Sequence, residues 1–435
     1  MDKIKRHAAL PALAAAIAII VALTASIYQA KDNGSFEVRD LIGSREAIRD
    51  VVIRGELRDG VQRTSFRIEE GRMRADTELF EQPKRADFYH YVPGSPMRSG
   101  EMEYFVQNES SLHTITSRRM TDQGYSIPVG MAEVVPPPMR RDSNGPNDGV
   151  SLANPPEYGL TRIGDSVYYT VPVSSRFIGS SAIYELKFYS WGFRSGIDPQ
   201  DYTHRKLAEI PLAANESGQG TGIEILGLEA VGERLALIFA ENGALHVRSY
   251  DVRTGESLGE ATVLEFRLPA REGDSGASGV ASFYEGYEAY PDHERSTLTL
   301  NFRRGSSVAN RIDMTALSFG FADGVELADR TDLSFSDGDE DTYSGISLLS
   351  YRNGKLYAIR SFRGPETEQP RALFDIVRPK HLYAYVYERS KLIYKGEIVT
   401  DLNEDNILAY NQSPYQGSFG YDQTDYRYFT NMAFE

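Results

Sequence analysis

Residues 222–266 decide the fold: GIEILGLEAV (222–231), RLALIFA (234–240), ALHVRSYD (244–251) and SLGEATVLEF (257–266). These four runs are rich in Ile, Leu, Val, Phe and Tyr, and tight turns at Gly232-Glu233 and Asn242-Gly243 separate the first three. Branched and aromatic runs of this length, punctuated by Gly and Asn, specify antiparallel strands. In RLALIFA nearly every residue is apolar, as in a strand covered on both faces. In ALHVRSYD, Leu245, Val247 and Tyr250 are interleaved with polar residues, as in an outer strand.

The same layout recurs on both sides. One unit reads EYGLTRI, turn Gly164-Asp165, SVYYTVPV, SAIYELKFYS; a later one reads SFYEGYEAY, turn Pro291-Asp292, STLTLNFR, NRIDMTALSF, VELAD. Another reads SGISLLSY, turn Asn353-Gly354, KLYAIRSF, HLYAYVYE, LIYKGEIVT. Stepping back by one period lands near Ser99-Gly100, between ADFYHYV and EMEYFVQ, which gives five units. One four-stranded sheet cannot bury both faces alone; sheets packed radially can, and a closed ring leaves no end face. The expected fold is therefore an all-β β-propeller of six or seven four-stranded blades. The early runs RDVVIRGEL and TSFRIEE lack a complete unit, as do the terminal NILAY and YRYFTNMAF, so together they are expected to form a composite closing blade.

The segment LHVRSYDVRTGESLGEA resembles the outer hairpin of WD40-like and quinoprotein-like propellers, through Tyr250, Asp251, Thr254, Gly255 and Leu258. The shared feature is structural: Asp251 accepts backbone N–H groups in the turn and Gly255 supplies a positive φ. The WD40 Gly-His and Trp-Asp pairs are missing, and the single tryptophan, Trp191, gives no repeated docking motif of a quinone-dependent dehydrogenase.

The N-terminus carries the compartment signal. Basic MDKIKRH is followed by AALPALAAAIAIIVALTASIY (8–28), which holds no charge. As a helix it would be roughly 31 Å long, about the thickness of a bilayer's hydrocarbon core. Residues 1–30 are expected to be an uncleaved signal anchor, or else a signal peptide removed on secretion. Residues 31–48 are expected to be a stalk ending in a short helix, and residues 49–435 the propeller. This plan resembles that of membrane-anchored exported proteins of Gram-positive bacteria, a resemblance that implies no activity.

The chain of 435 residues carries 47 basic and 62 acidic side chains, a net charge of −15. That charge, with no basic–aromatic stripe, excludes nucleic acid as a partner. The absence of cysteine excludes thiol nucleophiles, Fe–S clusters and Cys-ligated zinc. GDSGA (273–277) resembles the nucleophile loop of chymotrypsin-like proteases, but it lies in a polar interblade loop and reads as a turn. His90, His113, His204, His246, His293 and His381 show no H-x-H or H-E-x-x-H spacing. Two acidic loops have oxygen donors at alternating positions, suited to Ca2+ as a candidate cofactor: Asp337, Asp339 and Asp341, and Asp401, Asn403 and Asp405. The second resembles an EF-hand loop at positions 1, 3 and 5 but carries Gln412 at position 12. Tyr410, Tyr415, Tyr421, Tyr426 and Tyr428 suit either sheet packing or stacking on sugars. No catalytic residue and no carboxylate pair stands out.

The function expected from these features is a membrane-tethered, extracytoplasmic binding or scaffold module, non-catalytic. Its expected partners are the membrane, through the N-terminal helix, and an envelope protein or polysaccharide. The alternative is a polysaccharide hydrolase or lyase with its site at the channel mouth.

Overall fold

A computed structural model describes residues 9–30, 35–82, 91–109, 112–121, 126–138, 152–174, 177–190, 203–212, 222–266, 283–304, 312–335, 346–363, 380–400, 407–408 and 427–435. The N-terminal helix forms as α1 (Ala9–Ala30). Among the described residues no helix is long and apolar enough to cross a membrane, so single-pass anchoring and membrane localisation gain no support from the structure.

The remainder is all-β. Strand β1 (Phe36–Gly43) lies inside the stretch expected to be a stalk, and a 3-10 helix (Arg45–Ile48) stands where the short helix was expected. Six sheets follow in chain order. Sheet I begins with β2 (Ile53–Arg58), β3 (Gln62–Glu69) and β4 (Arg72–Leu79). Sheet II holds β5 (Met97–Ser99), β6 (Met102–Glu109), β7 (Leu112–Met120) and β8 (Ser126–Val134). Sheet III holds β9 (Leu160–Ile163), β10 (Ser166–Tyr169) and β11 (Gly179–Glu185). The chain then pairs β12 (Tyr189–Ser190) back onto β8 and completes sheet III with β13 (Arg205–Leu212). Sheet IV is β14 (Glu224–Val231), β15 (Arg234–Glu241), β16 (Ala244–Asp251) and β17 (Ser257–Val263). Sheet V is β18 (Phe283–Asp292), β19 (Thr297–Arg304), β20 (Ile312–Gly320) and β21 (Glu326–Phe335). Sheet VI is β22 (Ile346–Arg352), β23 (Lys355–Arg363), β24 (Lys380–Glu388) and β25 (Lys391–Thr400).

The two ends of the chain complete the first and last sheets. β26 (Ile407–Leu408) and β27 (Arg427–Phe434) return to sheet I, where β27 pairs antiparallel with β2. β1 pairs antiparallel with β25 at the edge of sheet VI. Sheet I is thus the composite unit expected from the unmatched terminal runs. Three of the sheets carry a fifth strand rather than the four expected.

Apolar side chains are shared from sheet to sheet. One core joins sheets II, III and IV, a second joins IV and V, a third V and VI, and a fourth joins VI with β1 and sheet I. The first strands are neighbours: β14 meets β9 and β18, β18 meets β22, and β22 meets β27. β15 is buried along almost its whole length, as RLALIFA required.

The local signals hold in detail. Asp251 Oδ1 accepts the N–H groups of Arg253 at 2.8 Å and Thr254 at 2.9 Å. Gly255 has φ +76°, and a Cβ there would meet the carbonyl oxygen of Leu207 in sheet III at 2.0 Å. The turn expected at Pro291-Asp292 is displaced: both residues stay in β18 and the turn occupies 293–296. The reason is Asp292, whose carboxylate accepts the Arg295 N–H at 3.1 Å and also faces a buried arginine of sheet VI.

That arginine, Arg352, ties three sheets. Only 7% of it is exposed. From the end of β22 it donates to Asp292 Oδ2 of sheet V and to the Phe434 carbonyl of sheet I, each at 2.8 Å, and to Ser350 Oγ at 2.7 Å. Its guanidinium also lies over the Phe434 ring, 5.9 Å from the centroid. Removing it would leave the Phe434 carbonyl without this donor and Asp292 with Arg295 alone. The expected cost of Arg352→Met is about 1.5–3 kcal/mol, read as a lowered denaturation midpoint. Arg253→Met, at a side chain that is 87% exposed, should leave the midpoint unchanged.

Candidate functional site

Strand β14 is buried over almost its whole length, yet it holds a carboxylate. Glu229 is 1% exposed. Its Oε2 accepts the Tyr91 hydroxyl at 3.1 Å and its Oε1 accepts the Tyr287 hydroxyl at 3.2 Å. Tyr91 precedes β5 of sheet II and Tyr287 lies on β18 of sheet V, so one acid joins three sheets.

Glycine makes this reach available. A Cβ at Gly227 would stand 2.1 Å from the Tyr287 hydroxyl, so the phenol passes over β14 only because residue 227 has no side chain. A 3-10 helix (Pro156–Gly159) closes the other side. Its Tyr158 donates to the Tyr287 carbonyl at 3.1 Å and packs edge-on against the Tyr287 ring, with centroids 5.0 Å apart.

The electrostatics follow from burial. Desolvation pushes the Glu229 carboxyl up to about 8, against the pull of the hydrogen bonds from Tyr91 and Tyr287. Glu229 is therefore a neutral acid at neutral pH. Burial also raises Tyr287 and Tyr158. On the opposite face of β18, burial raises Glu288, while hydrogen bonds from Asn301 Nδ2 at 2.8 Å and the Tyr290 hydroxyl at 3.0 Å oppose the shift. Burial raises Glu157 in the 3-10 helix as well.

A second buried pair joins sheets II and III. His113 Nδ1 and the Tyr169 hydroxyl are 2.6 Å apart, and both residues are fully buried. Burial lowers His113 to about 4, so the ring is neutral. The other histidines with described side chains are separate: His204 meets the Glu133 carbonyl, His246 meets Glu260, and His293 accepts the Gly232 N–H. Among the described residues no three His, Asp or Glu side chains gather as a metal-holding group.

The candidate calcium ligands Asp337, Asp339, Asp341, Asp401, Asn403 and Asp405 all lie outside the described residues, as do GDSGA and Tyr410, Tyr415, Tyr421 and Tyr426. Sequence reasoning passed over Glu229 and Glu288. The available signal was a lone acid in the otherwise apolar run LGLEAV, matched by YEGYEAY at the same place in the next unit. Nothing in either run shows that Tyr91 would meet Glu229.

No family model and no curated protein sequence matches the chain. Solved structures do match. One, from a study of two prolyl endopeptidases, has a TM-score of 0.29 and 9% identity over 81% of this chain and 42% of that one. Another, an ACO/RPE65 chimera, has a TM-score of 0.29 and 10% identity over 83% of this chain and 68% of that one. The chain thus spans less than half the length of the prolyl endopeptidase. Likeness of this degree carries no inference of activity, and it lends no support to a non-catalytic scaffold.

The state of Glu229 has a measurable consequence. Its folded pKa stands above the ordinary carboxylate value of 4.5, so the folded chain holds a proton that the unfolded chain releases. This contribution to stability is complete below about pH 4.5 and is lost as pH rises through about 8, at up to about 1.4 kcal/mol per pH unit. Glu229→Gln removes that dependence. His113 acts in the opposite direction, costing stability as pH falls below 6.5 toward 4, but it is common to both proteins and cancels in the difference. Melting temperatures of the variant minus wild type should therefore climb from about pH 5 to about pH 8 and level off above.

Proposed function

We propose that the six sheets close into a ring, with sheet I packed on sheet II, and that the protein is a non-catalytic binding module. Its site of action is the cell envelope, its tether α1, and its ligand an envelope polysaccharide or protein. The ring reading is supported by the chain-order sharing of cores and by the exchange of terminal strands between sheets VI and I. The tether reading rests on the uncharged run of residues 8–28, whose Leu13, Ile17, Ile19, Ile20, Val21 and Leu23 are all more than half exposed. Apolar surface of that extent gains most by leaving water for lipid.

The observation that carries the non-catalytic reading is the state of the inner carboxylates. Glu229 is closed off from solvent and held by two phenols, and among the described residues Arg63 pairs with Glu78 and Arg248 with Glu260 across strands. A hydrolase needs its acid and its second carboxylate open to the glycosidic oxygen.

The second reading, a polysaccharide hydrolase or lyase, draws on that same acid, because a carboxyl that keeps its proton at pH 7 is what a general acid requires. One experiment separates the two. Incubated with insoluble envelope polysaccharide, the protein should sediment with the polymer and release no reducing ends or unsaturated sugars. Release that Glu229→Gln abolishes, while the variant still melts cooperatively, would establish the enzyme. For the tether, the full chain should stay in the membrane pellet through an alkaline wash, and a variant lacking residues 2–30 should appear in the supernatant.

A further inference from the structure

Sheet I has two unlike faces. Its apolar face, with Ile53, Leu57, Phe66 and Ile68, enters the core shared with sheet VI. Sheet II sends its own apolar side chains into the core shared with sheets III and IV. Among the described residues no apolar core joins sheets I and II, and the second face of sheet I is left to water.

That face is charged. Arg54 stands directly opposite Arg67 in the β2–β3 ladder, and Arg67 directly opposite Arg74 in the β3–β4 ladder. Three arginines therefore lie abreast on three neighbouring strands, which run about 4.8 Å apart. The Arg54 side chain is 56% exposed and that of Arg67 41%, and Arg74 is exposed as well. Like charges directly opposite one another in a ladder are destabilising. In a chain of net charge −15 an excess of basic residues does not account for such a row, and an exposed face has no packing that requires it.

Glu435 displays what the row can hold. Its carboxylate lies across two of the guanidiniums, with Oε1 3.0 Å from Arg54 Nε and Oε2 accepting from Arg67 Nη1 at 2.5 Å. Glu69 lies 3.6 Å from Arg67. The acids farther along the face, Glu56 and Glu78, are drawn to Arg63. Arg74 and its neighbour Arg72, both exposed, form no ion pair among the described residues.

We infer that the arginine row of sheet I is the surface that binds envelope polysaccharide, and that the polymer it takes carries carboxylates. This rests on the binding-module reading above. A guanidinium takes a carboxylate through two parallel N–H bonds. A polymer with repeating carboxylates engages neighbouring arginines at once, and so gains an avidity that a single acidic sugar lacks. The acidic chain repels a polyanion at long range, so the attraction is local to the row and is screened by salt.

The test uses the full chain in mild detergent, with polygalacturonate as the carboxylate polymer, galacturonic acid as its monomer and dextran as a neutral polymer. Polygalacturonate should bind, more weakly as salt rises, and the monomer and dextran should not. The double variant Arg67→Gln, Arg74→Gln should lose about tenfold or more in affinity, as expected for lost charged hydrogen bonds, while Arg253→Met binds as wild type. Exposed charges contribute little to folding, so the double variant should melt as wild type does. Dextran binding as tightly as polygalacturonate, or a double variant that binds polygalacturonate undiminished, would overturn the assignment. A double variant that still sediments with envelope polysaccharide as wild type does would overturn this surface and leave the binding module standing. A wild-type chain that binds no polysaccharide would overturn both.

Discussion

The pairing of the chain's two ends holds the rest in place. β27 lies beside β2, nearly four hundred residues away, and the ladder is sealed by reciprocal bonds: Val52 N–H to the Glu435 carbonyl at 3.2 Å and Glu435 N–H to the Val52 carbonyl at 2.9 Å. The Glu435 side chain adds ion pairs to Arg54 and Arg67. Exposed pairs of this kind contribute little; the larger effect is burial, because β27 brings Phe429 and Phe434 into the core that sheet I shares with sheet VI. β1 does the converse, covering the edge of sheet VI with Phe36 and Val38. Without these two exchanges sheet I would lack the strand that meets β22, and sheet VI would present an open edge.

Such an architecture places its polar groups where sheets converge. Arg352 and Glu229 are both buried, both on first strands, and both bonded to two other sheets. They differ in how their burial is offset. Arg352 keeps its charge, facing Asp292 and a carbonyl. Glu229, with phenols and no cation, keeps its proton instead. An isolated carboxylate there would cost far more than a neutral acid. Specific partners on neighbouring sheets fix the angular register of the units, which apolar contacts alone, being non-directional, do not.

Much of this architecture was legible in the sequence because it is written in short-range chemistry. Gly232-Glu233, Asn242-Gly243 and Asn353-Gly354 form turns because Gly243 and Gly354 accept positive φ, as do Asn242 and Asn353. Asp251 and Gly255 fold their hairpin through contacts within four residues. The composite first sheet was legible by elimination, since four runs had no partners nearby. β1 was not: three of the eight residues of FEVRDLIG are charged, and only its pairing with β25 makes it a strand. The Glu229 cluster was illegible for a similar reason. Its acid, its two phenols and the glycine that admits them come from segments up to 196 positions apart, from Tyr91 to Tyr287. The turn after β18 moved because Asp292 answers to Arg352, sixty positions on.

The pairing of the ends is open to a direct covalent test. Arg54 and Ala433 are register partners in the β2–β27 ladder, and paired residues in an antiparallel ladder stand about 4.5–5.5 Å apart at Cα, within the range a disulfide spans. In this cysteine-free chain, the double variant Arg54→Cys, Ala433→Cys should form an intramolecular disulfide under mild oxidation. It would be seen as a monomer of raised mobility on a denaturing gel that reductant reverses, with cooperative melting retained. Free thiols in the folded protein, or a crosslink found only between two chains, would contradict the pairing of the ends.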